Sequence, residues 1–101
     1  MLNITKKSEG TTLEVALEGR LDTTTAPQLE AELKSDLPGV TNLIMDFEKL
    51  EYISSAGLRV LLSAQKKIRE NGDGRLVVRN ASDLVKEVFE VTGFCDILTI
   101  E

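Results

Sequence analysis

Two adjacent hydroxyl side chains, Ser54 and Ser55, are the residues of this sequence best placed for chemistry. Apolar residues at helical spacing follow them, which predicts a helix N-terminus rich in unpaired N–H groups and positive dipole. A phosphate on either Ser could accept those N–H bonds without a basic cluster. The alternative, favoured on the sequence pattern alone, is that Ser54 or Ser55 is a plain N-cap, a common use of Ser that stabilises a helix by about 1 kcal/mol. One Ser can cap while the other is modified, so both interpretations stay open. Gly57, without a side chain, would let another chain or a nucleotide approach the backbone closely.

A second polar segment joins a predicted strand to a predicted helix and contains Asp22 and the threonines Thr23, Thr24 and Thr25. It could contact a partner or orient a phosphate. Turn chemistry is the alternative, with Asp22 accepting bonds from local N–H groups, and it is favoured for Thr23 and Thr24.

A third candidate, Asp46, follows an apolar run and is predicted to close a buried strand, where α/β sheets place ligand groups. A phosphate-accepting Asp of the receiver type needs an acidic pair after the first strand, but only Glu18 is present there. A hydrogen bond from Asp46 to loop backbone is therefore favoured. A hydrolytic pair of Asp22 and Asp46 has no accompanying base, metal cluster or cofactor motif, so we assign no catalytic residue.

Composition excludes several classes of function. The 101 residues include 12 basic and 17 acidic side chains, a net charge of −5 that disfavours nucleic-acid binding. The sequence has no His and one Cys, which excludes Ser–His–Asp catalysis, His-ligated metal sites and Cys-rich zinc sites. Cys95 is expected to be a small buried hydrophobe. Without an apolar run of membrane-spanning length or a signal peptide, we expect a cytoplasmic domain that does not insert into membranes.

The elements that position these residues follow from their periodicity. Alternating runs on either side of Ser8–Gly10 predict a β-hairpin, whose second strand ends at Gly19. Thr25 and Gln28 have the spacing of a capping box at the start of the first helix, with Pro27 in its first turn.

The second helix is predicted to end at Asn71-Gly72, and the third to begin after a Ser82 cap and end at Gly93. Tyr52 and Ile53 are expected in the core, with an interface as the alternative. The apolar residues predicted to face inward from the third helix are Leu84, Val85, Val88 and Phe89.

The resulting order is β-β-α-β-α-β-α-β, with Ile97, Leu98 and Ile100 in the last strand. Each strand after the hairpin is followed by a helix long enough for a right-handed parallel crossover. The sequence therefore predicts one α/β domain over 1–101. Its four- or five-stranded sheet is mostly parallel, with an antiparallel N-terminal strand.

Two motifs, one within Leu17–Leu29 and one at Tyr52–Leu58, resemble the signatures of the STAS domain family, in particular the bacterial anti-sigma factor antagonists. Leu17 to Asp22, followed by Thr25-Ala26 and Leu29, is similar to Leu-x-Gly-x-Leu-Asp-x-x-Thr-Ala-x-x-Leu. Tyr52 to Leu58 is similar to aromatic-hydrophobic-(Asp/Ser)-Ser-(Ser/Thr/Ala)-Gly-Leu. The two matches have the right order and spacing, and the resemblance spans almost the whole chain.

The resemblance implies a non-enzymatic regulator, without cofactor, that acts by partner switching. The unphosphorylated antagonist would bind an anti-sigma factor with serine kinase activity and free a sigma factor. Phosphorylation would release it, and a metal-dependent serine phosphatase would reset it. The family's acceptor position corresponds to Ser55, with Ser54 as second choice. The implied partner-binding residues are Asp22, Thr25, Ser54, Ser55, Ala56, Gly57 and Leu58.

One departure from the family bears on this assignment. The best-known members carry Asp immediately before the acceptor, where this chain has Ser54. The alternative function is an unphosphorylated STAS scaffold or adaptor in a transporter or lipid-trafficking complex.

Overall fold

The computed structural model describes residues 2–72 and 74–101. Its strands are β1 (Leu2–Glu9), β2 (Thr12–Leu21), β3 (Asn42–Ile53), β4 (Arg75–Arg79) and β5 (Thr99–Ile100). Its helices are α1 (Ala26–Asp36), α2 (Ser55–Glu70) and α3 (Asp83–Thr92), and a 3₁₀ turn covers Phe94–Asp96. The predicted element order is confirmed.

The five strands form one sheet in the order β1-β2-β3-β4-β5. β1 pairs antiparallel with β2, and every other neighbouring pair is parallel. This is the predicted α/β sheet with its antiparallel first strand. Buried leucines, valines and other apolar residues of the sheet and helices form one core, which includes the stacked rings of Phe47 and Phe89 at 6.4 Å between centroids. No helix among the described residues has the length and apolar character that crossing a bilayer requires.

Two strands run further than predicted. β2 does not end at Gly19 but continues to Leu21, with register shifts at Ala16/Glu18 and Gly19/Arg20 that let it accommodate a φ of 109° at Gly19. β3 does not end at Asp46 but continues to Ile53, because it keeps pairing with β2 after its ladder with β4 stops at Asp46.

The helix ends agree with prediction, but the side-chain caps expected at the starts of α1 and α2 do not form. Thr25 is the N-cap residue of α1, but the predicted capping box is absent because Gln28 Nε2 donates to the carbonyl of Leu2. Asn71 is the C-cap residue of α2, and Ser82 caps α3 by accepting from the Val85 N–H at 3.2 Å. Gly93 ends α3 with a φ of 80°, the left-handed conformation that favours glycine.

Three residues predicted in the core are exposed. Leu84 precedes the inward-facing Val85 on α3 and is 55% exposed. Tyr52 alternates with the buried Ile53 along β3 and is 36% exposed. Cys95 lies in the 3₁₀ turn and is exposed. The last strand is also shorter than predicted and excludes Ile97 and Leu98.

Candidate functional site

The carboxyl ends of β2 and β3 bring the two sequence motifs together. Leu21 and Ile53 are register partners at the end of the parallel ladder, and the Ser54 N–H donates to the Leu21 carbonyl at 2.9 Å. The loop after β2 and the start of α2 therefore lie side by side, at the sheet edge where α/β folds place their sites.

The loop after β2 is held by Asp22 and Thr25. Asp22 Oδ1 accepts from the Thr24 N–H at 3.0 Å, the Thr24 hydroxyl at 2.7 Å and the Thr25 N–H at 3.2 Å. The Thr25 hydroxyl accepts from the Asp22 N–H and donates to the Arg20 carbonyl, both at 2.8 Å. The predicted turn chemistry of Asp22 is confirmed, and these bonds fix the direction of its carboxylate.

These hydrogen bonds also fix the charge of Asp22. Donation by the Thr24 hydroxyl, the largest cause, lowers the pKa of Asp22 from 3.8 to about 2. Hydrogen bonds to the charged form of an acid favour that form. Asp22 is therefore a permanent carboxylate at neutral pH, beside the start of α2.

The two serines have different surroundings. Ser55 is the first residue of α2 and is exposed. Ser54 occupies the N-cap position, but its hydroxyl makes no capping bond, is buried and has no hydrogen-bond partner within residues 2–72 and 74–101. The predicted N-cap role of the Ser54 side chain is therefore not what the structure shows. The first helical bond runs from the Leu58 N–H to the Ser54 carbonyl, so the preceding N–H groups of α2 lack intrahelical acceptors.

Gly57 faces the interior instead of an approaching partner. A β carbon at position 57 would lie 2.7 Å from Leu21 Cγ and 2.9 Å from Ile53 Cγ1. The glycine therefore lets the first turn of α2 pack directly on β2 and β3, which corrects our expectation that it serves an outside chain. Leu58 is also buried, and Ala56 is partly exposed.

Of the seven predicted contact residues, Thr25, Gly57 and Leu58 are buried. They position their neighbours, whereas the accessible surface comes from Asp22, Ser55, Ala56 and the backbone at Ser54. Partner binding by this surface stays a prediction.

Two groups near this edge were not among the residues predicted for the site. Arg20 is the register partner of Tyr52, and its guanidinium carbon lies 4.5 Å from the centre of the Tyr52 ring. A groove of about 360 Å³ lies between α1 and α2, and the residues that line it include Thr23, Ala56, Arg59 and Glu30. The helical spacing of Ser55 and Arg59, four residues apart, could have indicated that they share a face.

Asp46 does not belong to this site. Its Oδ1 accepts from the Glu48 N–H at 3.0 Å and from the Asn80 amide at 3.2 Å, as the favoured interpretation predicted. Asp46 pairs with Ala16, and Asp22 lies six residue steps further along the chain from Ala16, about 20 Å in extended conformation. The hypothesis of a hydrolytic pair is therefore wrong.

Comparison with known proteins agrees with this geometry. Residues 3–101 match the STAS domain model, so the chain belongs to the STAS domain family, as the motifs implied. Its relatives include a Bordetella bronchiseptica protein provisionally named anti-sigma factor antagonist BtrV, 40% identical over 89 residues, or 87% of this chain and 76% of that protein. The anti-sigma-B factor antagonist of Staphylococcus aureus is 30% identical over 102 residues, covering 98% of this chain and 92% of that protein.

Solved structures show the same fold. SpoIIAA, an anti-sigma factor antagonist, has in its unphosphorylated form a TM-score of 0.85 at 24% identity, covering 98% of this chain and 88% of that chain. Bacillus SpoIIAA in the phosphorylated form has a TM-score of 0.76 at 22% identity, and the match covers 98% of this chain and 91% of that chain.

Proposed function

We propose that this chain is an anti-sigma factor antagonist that acts by partner switching in the cytoplasm. The unphosphorylated form binds an anti-sigma factor with serine kinase activity and thereby frees a sigma factor. Phosphorylation of Ser55 releases the chain, and a metal-dependent serine phosphatase resets it. The names of the relatives support the antagonist role. The chain itself catalyses nothing in this cycle.

The observation that carries the proposal is that Ser55, the first residue of α2, is exposed. In the transfer step, Ser55 Oγ forms a bond to the γ-phosphorus of ATP, the bond to ADP breaks, and the hydroxyl proton passes to a kinase base. The Ser54 hydroxyl is buried, so an enzyme reaches Ser55 more readily. The permanent carboxylate of Asp22 and the groove beside α2 form the rest of the proposed contact surface.

The electrostatics of the modification are sufficient for release. Phosphorylation adds about −1.5 to −2 charges to a face that already carries ionised Asp22. A hundredfold loss of affinity requires only about 2.8 kcal/mol. Desolvating the phosphate on docking can supply this energy, while N–H groups of the first helical turn stabilise the phosphate in the free chain. We expect little change in the backbone.

Incubation with the cognate kinase and ATP, followed by intact mass measurement, tests the acceptor. Wild type and Ser54→Ala should gain one phosphate, and Ser55→Ala should gain none. An unchanged mass of wild type, or an equal gain in Ser55→Ala, would contradict the assignment.

Affinity for the kinase tests the switch itself. Ser55→Ala should bind as tightly as unphosphorylated wild type, and Ser55→Asp should bind more weakly, because a fixed anion replaces the hydroxyl. Calorimetric titration of both variants measures this difference. Equal affinities would refute the switch, and absent binding together with absent phosphorylation would favour the scaffold role.

A further inference from the structure

Arg59 lies one helical turn beyond Ser55 on α2, and both residues are exposed. Residues four apart on a helix have β carbons about 5–6 Å from each other, within reach of a long side chain. The geometry points to Arg59 as the residue that binds the phosphoryl group on Ser55. This inference rests on the proposed phosphorylation and adds the residue that recognises its product.

The guanidinium of Arg59 is available for this role. Arg59 makes no ion pair with any residue in 2–72 or 74–101, although Glu30 lines the same groove. A guanidinium presents a planar fork of N–H donors that matches the oxygens of a phosphate. A phosphate on Ser55 can therefore bind Arg59 without breaking an existing salt bridge.

Arg20 is the other cation near this edge, and its side chain is already engaged. It lies over the Tyr52 ring, and its Nε is 3.7 Å from Asp22 Oδ2. Leu21 and Ile53 face Gly57 of α2, and side chains alternate along a strand, so Arg20 and Tyr52 point toward the opposite face of the sheet. Arg20 would have to leave both contacts to reach the phosphate, which makes it a matched control for Arg59.

The pairing has a consequence for the switch. Before modification, Arg59 contributes a positive charge beside the docking surface, and a partner can use it. After modification, the same cation is neutralised by the phosphate on its own helix. The modification therefore removes a potential attraction and adds an anion in one step.

A ³¹P NMR pH titration of the full chain with phosphoserine incorporated at position 55 during translation tests the assignment. A free phosphoserine has a second pKa of about 6, and a paired cation lowers the midpoint. Arg59→Gln should raise the midpoint by about half a pH unit relative to the phosphorylated parent, and Arg59→Lys should restore most of that difference. Arg20→Gln should shift it by less than half as much.

Equal midpoints for the parent and Arg59→Gln, or an equal shift in Arg20→Gln, would overturn the assignment. The phosphate is installed without a kinase, so these results leave the proposed switch standing. Conversely, failure of a kinase to modify Ser55 would contradict the proposed switch but would not affect the result of this titration. Far-UV circular dichroism of each variant confirms that α2 is retained.

Discussion

Gly57→Ala should destabilise the domain, because the first turn of α2 has no room for a β carbon. That atom would lie 2.7 Å from Leu21 Cγ and 2.9 Å from Ile53 Cγ1, and both neighbours are at most 2% exposed. Overpacking of a closed core costs about 1–3 kcal/mol, and here the cost lies toward the upper end because both contacts are shorter than 3.0 Å. The better helix propensity of Ala returns up to about 1 kcal/mol. We expect a net loss of about 1–2 kcal/mol in the free energy of unfolding.

Urea unfolding followed by circular dichroism measures this loss, and thermal unfolding should show a decrease of about 4–8 °C in Tm for each 1 kcal/mol. Ser55→Ala, in the same turn but exposed, is the matched control and should stay within about 0.5 kcal/mol of wild type. If Gly57→Ala were as stable as wild type, close packing would not be the reason for glycine here.

A double-mutant cycle locates the strain. Leu21→Ala removes the atom nearest to the new methyl group and alone should cost about 2–5 kcal/mol. Combined with Gly57→Ala, the total loss should be smaller than the sum of the single losses by about 0.5–3 kcal/mol. Strict additivity would show that Leu21 is not where the clash occurs.

Four further variants test other parts of the structure by urea unfolding. Asp22→Asn should be less stable than wild type at about pH 6 and nearly as stable as wild type at about pH 2. The pKa of Asp22 is about 2 in the folded state against 3.8 in the unfolded state, so the stability that its carboxylate contributes is fully present above 3.8 and is lost as the pH falls through 2. A constant difference across this range would contradict the pKa. Leu84→Gln should change stability by less than about 0.5 kcal/mol, whereas Phe89→Ala, at a buried site, should cost about 3–5 kcal/mol. Asn71→Ala should cost about 1–3 kcal/mol, because its amide donates to two carbonyls between α1 and β3, both at 2.9 Å.

The sequence was sufficient for the element order because apolar periodicity and turn residues are local signals. The position of Ser82 at the start of α3 and the end of α2 at Asn71 were predictable for the same reason. The lengths of β2 and β3 were not, since each strand continues only because its neighbour across the sheet does. Glycine is typical of strand ends, but Gly19 lies inside an irregular strand, where it adopts a φ of 109°.

Residues of the candidate site likewise differ in whether local sequence was enough to predict their structure. The local turn made by Asp22 was predictable, since its partners are two and three residues away. The inward direction of Gly57 and the buried, unpaired hydroxyl of Ser54 depend on how α2 lies on β2, which no local pattern specifies. The exposure of Cys95 likewise results from a 3₁₀ turn whose position is set by packing.

The uncapped start of α2 also affects local dynamics. A turn without a side-chain cap opens at a lower free energy than the rest of its helix, and its amides exchange hydrogen faster. In the proposed switch, a kinase that reaches Ser55 would need to open at most this first turn, against the packing of Gly57 on β2. The remainder of α2, anchored by Leu61 and Ile68 in the core, would stay folded.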